Sequence, residues 1–237
     1  MKQDFTFIIP AAGKSTRFKY KKSKIFFLYK KKTLIEHIFL KARKVTDKII
    51  FVCNYQNIIE LKKIFSKYEE KIEFVIQKKP NGMGEAVFKG LAKSKTLNSC
   101  IIWSDQIYIS NHTINKTINK FKKNKSILCF PIKKNNNLYT QVVFDNNKNF
   151  YDIYQSREKK LKTKRGFSDC GFFVVNTKKV YNCLKNLINL KKITSKKTKE
   201  IDFLKSFKFI KNIGKIDVIK SKNKLDHIGI NKMSDII

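Results

Sequence analysis

Short apolar runs alternate with longer amphipathic stretches through the first half of the chain. Residues 5–9, 49–53, 72–76, 100–103 and 127–130 are almost continuously apolar, and each reads as a strand buried on both faces. Between them, residues 33–44, 57–67, 84–93 and 111–122 carry apolar positions at helical spacing, with Thr33 a plausible N-cap for the first. Strands and helices alternating at this spacing predict an α/β fold: a Rossmann-like mixed, mostly parallel sheet flanked by helices. The second half changes character. Residues 141–144 and 150–154 flank the turn Asp145-Asn146-Asn147-Lys148 and predict a hairpin. Residues 172–176 and 216–220 predict further strands, and 178–189 and 200–211 helices. No repeat or Pro/Gly/Ser linker divides the chain. A single domain over 1–237 is expected, with a nucleotide-binding part at about 1–130 and a small β-rich acceptor-binding lobe at about 131–237.

Composition alters this picture little. The chain has 53 basic and 18 acidic residues, a formal charge of +35, which on its own would suggest nucleic acid or an anionic surface. Yet 49 of the 53 basic residues are Lys, beside abundant Asn, Ile, Phe and Tyr, all favoured by A/T-rich codons. A surface selected for phosphate contacts would use more Arg, so no specific nucleic-acid partner is expected. The five cysteines show no C-x-x-C spacing and read as buried thiols in a reducing compartment. No stretch is long enough for a membrane span, and a cytoplasmic protein is expected.

The most informative stretch is Ile8 to Phe18, IIPAAGKSTRF. Its Gly13-Lys14-Ser15-Thr16 imitates the end of an NTPase phosphate loop, but that loop needs another glycine five positions earlier, where Ile8 stands inside an apolar strand. A different phosphate-binding loop remains. The small turn Ala11-Ala12-Gly13 lets backbone N–H groups approach an anion, Ser15 and Thr16 offer hydroxyls, and Lys14, Arg17 and Lys24 offer charge.

The loop, followed by Ser23-Lys24 and FFLYKKKTLIEHIF, resembles the opening signature of the sugar-1-phosphate nucleotidyltransferases. Four more motifs follow in that family's order. Gln77 with Asn81-Gly82-Met83-Gly84-Glu85-Ala86 resembles the base-binding glutamine and glycine segment, closest to N-acetylglucosamine-1-phosphate uridylyltransferase domains. Ile101-Ile102-Trp103-Ser104-Asp105 resembles the strand that ends in a metal-binding Asp. Ser168-Asp169-Cys170-Gly171-Phe172-Phe173 resembles the sugar-contacting strand entry, and Gly229-Ile230-Asn231 the terminal motif with the second metal ligand. Several positions depart from the pattern: Ser15 replaces a Gly, Ser23 a Pro, Thr140 a Gly facing the sugar, Gln155 a sugar-binding Glu (with Glu158 as an alternative acid) and Asp169 an Asn.

The resemblance implies attack by the phosphate of a phosphorylated acceptor on the α-phosphorus of an NTP, releasing pyrophosphate. Arg17 and Lys24 would be catalytic; Ala11, Ala12, Gly13, Lys14, Ser15, Thr16, Gln77, Gly82, Met83 and Gly84 would bind the nucleotide, although the side chain of Met83 reads as core. Thr140, Gln155 or Glu158, Asp169 and Gly171 would face the acceptor, and Asp105 and Asn231 would hold Mg²⁺. UTP is favoured by Gln77 and the GMGEA segment. A cytidylyltransferase acting on phosphocholine or another phosphorylated alcohol stays open, as does a nucleic-acid-binding protein on the same fold. Little chain follows Asn231, so no appended acyltransferase domain is expected.

Overall fold

A computed structural model describes residues 4–13, 18, 20, 22–68, 71–79, 81–136, 138–156, 158, 161, 163 and 165–237. In chain order the elements begin with β1 (Phe5–Pro10), the small strands β2 (Leu28–Tyr29) and β3 (Lys32–Thr33), α1 (Leu34–Ala42), β4 (Lys48–Cys53), α2 (Tyr55–Phe65), β5 (Lys71–Ile76), α3 (Met83–Lys93) and β6 (Asn98–Ile102). They continue with α4 (Asn111–Asn124), β7 (Leu128–Asn135), β8 (Thr140–Phe144), β9 (Phe150–Gln155), β10 (Gly166–Asp169), β11 (Phe172–Asn176), α5 (Thr177–Asn189), α6 (Phe207–Ile210) and β12 (Ile216–Lys220).

The main sheet runs β5-β4-β1-β6-β11-β7-β10-β8-β9, with β12 beside β7. Its first half, β5-β4-β1-β6, is parallel throughout. The predicted β-rich lobe is the antiparallel end of this same sheet, β10-β8-β9. The long strand β7 joins the two: β11 pairs with its start at Leu128 and Cys129, and β10 with its end from Ile132 to Asn135.

Side chains of β1 alternate between two cores. Phe5, Phe7 and Ile9 pack with α1, α2 and α4 on one face, while Ile8 packs with α3, α5 and α6 on the other. Burying each such side chain contributes about 1.5–3 kcal/mol, which is why β1 has no polar side other than Thr6. At the start of α1 the predicted N-cap is present with its reciprocal partner: Glu36 N–H donates to Thr33 Oγ1 at 3.3 Å, and Thr33 N–H donates to Glu36 Oε2 at 2.9 Å. All five cysteines are free thiols, four of them buried, and burial pushes the Cys53 thiol up to about 11. Among the described residues no helix is long and apolar enough to cross a membrane.

Three expectations change. The helix expected at 200–211 shrinks to a 3-10 turn at Leu204–Ser206 followed by α6. The backbone of Ile201 is taken up by distant partners: Ile201 N–H donates to Asn81 O at 2.9 Å, and Ile201 O accepts from Gly84 N–H at 2.8 Å. Helix α2 begins at Tyr55 rather than 57, because the Asn54 side chain caps it by accepting from Asn57 N–H at 2.8 Å. Strand β10 and the β2–β3 hairpin carried no clear signal. That hairpin turns on Lys30 and Lys31 with φ of 46° and 65°, a conformation that Asn-Gly usually supplies.

Candidate active site

The loops after β1 and β6 leave the carboxyl ends of neighbouring parallel strands, where open α/β sheets bind ligands. Two asparagines fix the root of the first loop: Asn57 Nδ2 donates to Ala11 O at 2.8 Å and Asn54 Nδ2 to Ala12 O at 3.0 Å. Ala11 and Ala12 are buried, and Gly13 is exposed with open space around it. Lys14, Ser15, Thr16 and Arg17 lie outside the described residues.

Lys24 brings three distant segments to one point. Its Nζ donates to Asp105 Oδ2 at 2.8 Å, across 81 positions, and to Ile230 O at 2.7 Å, across 206 positions. Ile230 N–H in turn donates to Asp105 O at 3.0 Å. The segment Gly229–Asn231 is thereby held against the end of β6. Within it, Asn231 Nδ2 donates to Gly229 O at 3.1 Å, and Asn231 N–H donates to Asp235 Oδ2 at 2.7 Å. Asp226, wholly buried, anchors the approach to this segment by accepting from Ser110 N–H and from the hydroxyls of Thr113 and Ser221.

At the end of β5 Gln77 is buried, and its Nε2 donates to Gly82 O at 3.1 Å and to Glu85 Oε2 at 2.9 Å. Those donors hold the loop before α3. Gly82 has φ of 91°, and a Cβ there would stand 2.6 Å from Ile201 O, so only glycine fits. Gly84 packs against Ile201 as well. Met83, read from the sequence as core, lines the cavity described next.

A cavity of about 690 Å³ runs from Met83 and Asp105 past Asn231 to Thr140, Gln155 and Asp169. Asp169 is placed there by the corner between β10 and β11, which turns at Gly171 with φ of 64°. Its Oδ2 accepts from Thr140 Oγ1 at 2.9 Å and its Oδ1 from Gly171 N–H at 3.1 Å. Burial raises the Asp169 carboxyl above its ordinary value, partly opposed by these two hydrogen bonds and helped by the charge of Asp105. Gln155 Nε2 donates to Asp202 Oδ2 at 2.6 Å. Glu158 is not on the cavity wall; its Oε1 accepts from Ser195 Oγ at 2.6 Å. Of the two residues left open for this place, the structure brings Gln155 to the cavity.

The cavity also takes in residues the sequence did not single out: Trp103, Gln106, Asp202 and Asp235. Asp202 sat inside a stretch expected to be helical, so its side chain had no visible destination. The described lining contains Asp105, Asp169, Asp202 and Asp235 but Lys232 as its one lysine, which is unusual for a chain with 53 basic and 18 acidic residues. Among the described lining residues acidic side chains therefore outnumber basic ones, against the balance of the whole chain.

Residues 7–165, about two thirds of the chain, match the family described as the MobA-like NTP transferase domain. The chain belongs to that family. Among curated proteins, the MobA-like NTP transferase match is accompanied by the "Bifunctional protein GlmU" of Buchnera aphidicola subsp. Schizaphis graminum, 32% identical over 200 residues, 81% of this chain and 41% of that protein. The same-named protein of Vesicomyosocius okutanii subsp. Calyptogena okutanii is 26% identical over 229 residues, 94% of this chain and 49% of that one. The chain spans less than half the length of these relatives. Among solved structures, the inositol-1-phosphate CTP transferase from T. maritima superposes with a TM-score of 0.77 at 15% identity, covering 100% of this chain and 94% of that one. This last likeness shows that the MobA-like NTP transferase chain shares its fold.

Proposed function

We propose that the protein transfers a nucleotidyl group from an NTP, with UTP favoured, to a sugar-1-phosphate, releasing pyrophosphate and forming an NDP-sugar. The observation that carries this reading is the meeting of Lys24, Asp105 and Gly229–Asn231 at one end of the acidic cavity. In this reading residues up to about 130 bind the nucleotide and the rest of the chain binds the acceptor. The free, buried thiols suit a reducing cytoplasm.

The attacking group is already an anion, so the reaction needs alignment and charge neutralisation rather than a general base. An oxygen of the acceptor phosphate bonds to the α-phosphorus, and the bond from that phosphorus to the oxygen bridging it to the β-phosphate breaks. We assign the Lys24 ammonium to the charge building at the α-phosphate and Arg17 to the departing pyrophosphate. Ala12 to Thr16 would cradle the phosphates with backbone N–H and hydroxyl groups, whereas the Ala11 N–H donates to Val52 O at 2.7 Å and so roots the loop rather than binding a phosphate; Gln77 would hold the Gly82–Gly84 backbone against the base. Asp105 and Asn231 would hold Mg²⁺, which supplies screening between two phosphate groups when bound. Thr140, Gln155, Asp169 and the Gly171 corner would face the acceptor.

A second reading is favoured by the carboxylates of Asp169 and Asp202 at the acceptor end. They suit an acceptor bearing a cation, as a cytidylyltransferase acting on phosphocholine or a related phosphorylated alcohol would require. A pyrophosphate-release screen of four NTPs against sugar-1-phosphates and phosphocholine tests both. Release with UTP and a sugar phosphate supports the first reading, and release confined to CTP and phosphocholine supports the second. Acceptor-independent loss of phosphate would contradict both.

A further inference from the structure

We propose that Gln106 supplies a further oxygen to the divalent cation at Asp105, directly or through one cation-bound water. The proposal rests on the nucleotidyltransferase reading of this site. Gln106 is 4% exposed, yet its Oε1 is buried without a hydrogen-bond partner. Leaving a buried carbonyl oxygen without a donor costs about 1–3 kcal/mol, so an orphan on a cavity wall points to something that fills it.

Its surroundings say what. The Gln106 side chain lies between two glycines. A Cβ at Gly171 would overlap it, and a Cβ at Gly229 would stand 3.4 Å from Gln106 Oε1 and equally 3.4 Å from Asp105 Oδ1. Two oxygens from consecutive residues thus face one small space that Gly229 keeps open. Of the Asp105 carboxylate, Oδ2 is engaged by Lys24 at 2.8 Å, while no described residue donates to Oδ1. A carboxylate oxygen and a neutral carbonyl oxygen converging on one space form a hard donor pair, and hard cations accept amide oxygens beside carboxylates. Among the described residues no group of three or more His, Cys, Asp or Glu could hold a metal. A site of low charge, completed by an amide and by substrate phosphates, is what Mg²⁺ accepts. A sugar hydroxyl is the rival donor to Oε1, but it would leave Asp105 Oδ1 and the open space over Gly229 without a common purpose.

The test is Mn²⁺ binding to the whole protein, read as the loss of the free-Mn²⁺ electron paramagnetic resonance signal, with no substrate turnover involved. Gln106→Leu should weaken Mn²⁺ binding about tenfold, as removal of a supporting ligand does. Gln106→Met, of similar size but without the oxygen, should weaken it likewise, whereas a purely structural amide, replaced by a side chain that fills the same space, would leave the affinity unchanged. Asp105→Asn separates the two levels of the argument. If Asp105→Asn abolishes binding while both Gln106 variants keep the wild-type affinity, the proposal for Gln106 is overturned and the site reading stands. If Asp105→Asn leaves binding unchanged, or the wild type binds no Mn²⁺ at millimolar concentration, the metal site itself is misplaced. Should Gln106→Leu fail to fold, Gln106→Met decides the question alone.

Discussion

Replacing Lys24 by Met keeps the apolar stem but removes the ammonium that bonds Asp105 Oδ2 at 2.8 Å and Ile230 O at 2.7 Å. The Lys24 and Asp105 side chains keep 14% and 19% of their surface in solvent. Breaking one partner of a buried pair costs about 3–5 kcal/mol, and an exposed pair is worth about 0–1 kcal/mol. This pair lies between those limits, so Lys24→Met should lose about 1–3 kcal/mol. For a chain of this size, 1 kcal/mol corresponds to about 2–4 °C in Tm, which puts the drop at about 2–12 °C. The double variant Lys24→Met/Asp105→Asn should recover part of that loss, because neither charge is left without its partner. The assay is urea unfolding of the four proteins in chelator, so that no metal takes the lysine's place. A coupling of about 1 kcal/mol or more supports the pair. Additivity within about 0.5 kcal/mol refutes it, since uncoupled sites behave that way. Turnover of Lys24→Met should fall by about 100-fold or more, through loss of charge stabilisation at the reacting phosphate.

Asp169→Asn should raise Tm more at pH 7 than at pH 3.5. Burial holds the Asp169 carboxyl above its ordinary value, so its contribution to stability is present below the unfolded-state value and lost as pH rises through the folded one; equal shifts at both pH values would show that the carboxylate is not penalised. The same substitution should change the ranking of acceptors at fixed NTP while leaving the NTP's KM nearly unchanged, with N-acetylglucosamine-1-phosphate a poor acceptor for the wild type; efficient wild-type use of it counts against the acceptor wall as drawn. Gly82→Ala should destabilise the protein and raise KM for the NTP, because φ of 91° and the 2.6 Å approach of Ile201 O leave no room for Cβ; a wild-type Tm would show that the loop before α3 is built differently. Any binding to DNA or RNA should be sequence-blind and fall steeply with salt, and filter binding between low and physiological ionic strength checks this.

The parallel half of the fold was legible because continuous apolar runs such as Ile49–Cys53 have one reading once helical spacing alternates with them. The residues proposed for the metal end were named for another reason: Gly13 and Asp105 follow strands that the pattern locates, β1 and β6, whereas Asn231, eleven positions past β12, was marked only by the resemblance of Gly229-Ile230-Asn231 to a family motif. The end of the cavity at Asp169 and Asp202 was harder. Asp202 reached the cavity because Ile201 pairs with Asn81 and Gly84, a non-local ladder that overrode the helical pattern of residues 200–211. The corner at Gly171 depended on a change of partner along β7, which no local signal encodes. Gln106 and Gly229 acquire meaning only together, across a separation that sequence spacing cannot reveal.

In the proposed reaction the acceptor's own phosphate oxygen attacks the α-phosphorus of the NTP. The direct measurement uses an acceptor-1-phosphate carrying ¹⁸O at its phosphate, incubated with UTP and Mg²⁺, with the products analysed by ³¹P NMR and mass spectrometry. The expected products are a nucleoside diphosphate ester that retains the label and unlabelled pyrophosphate, with no product from Asp105→Asn. Inorganic phosphate as the released product, label in pyrophosphate, or undiminished product from Asp105→Asn would contradict it.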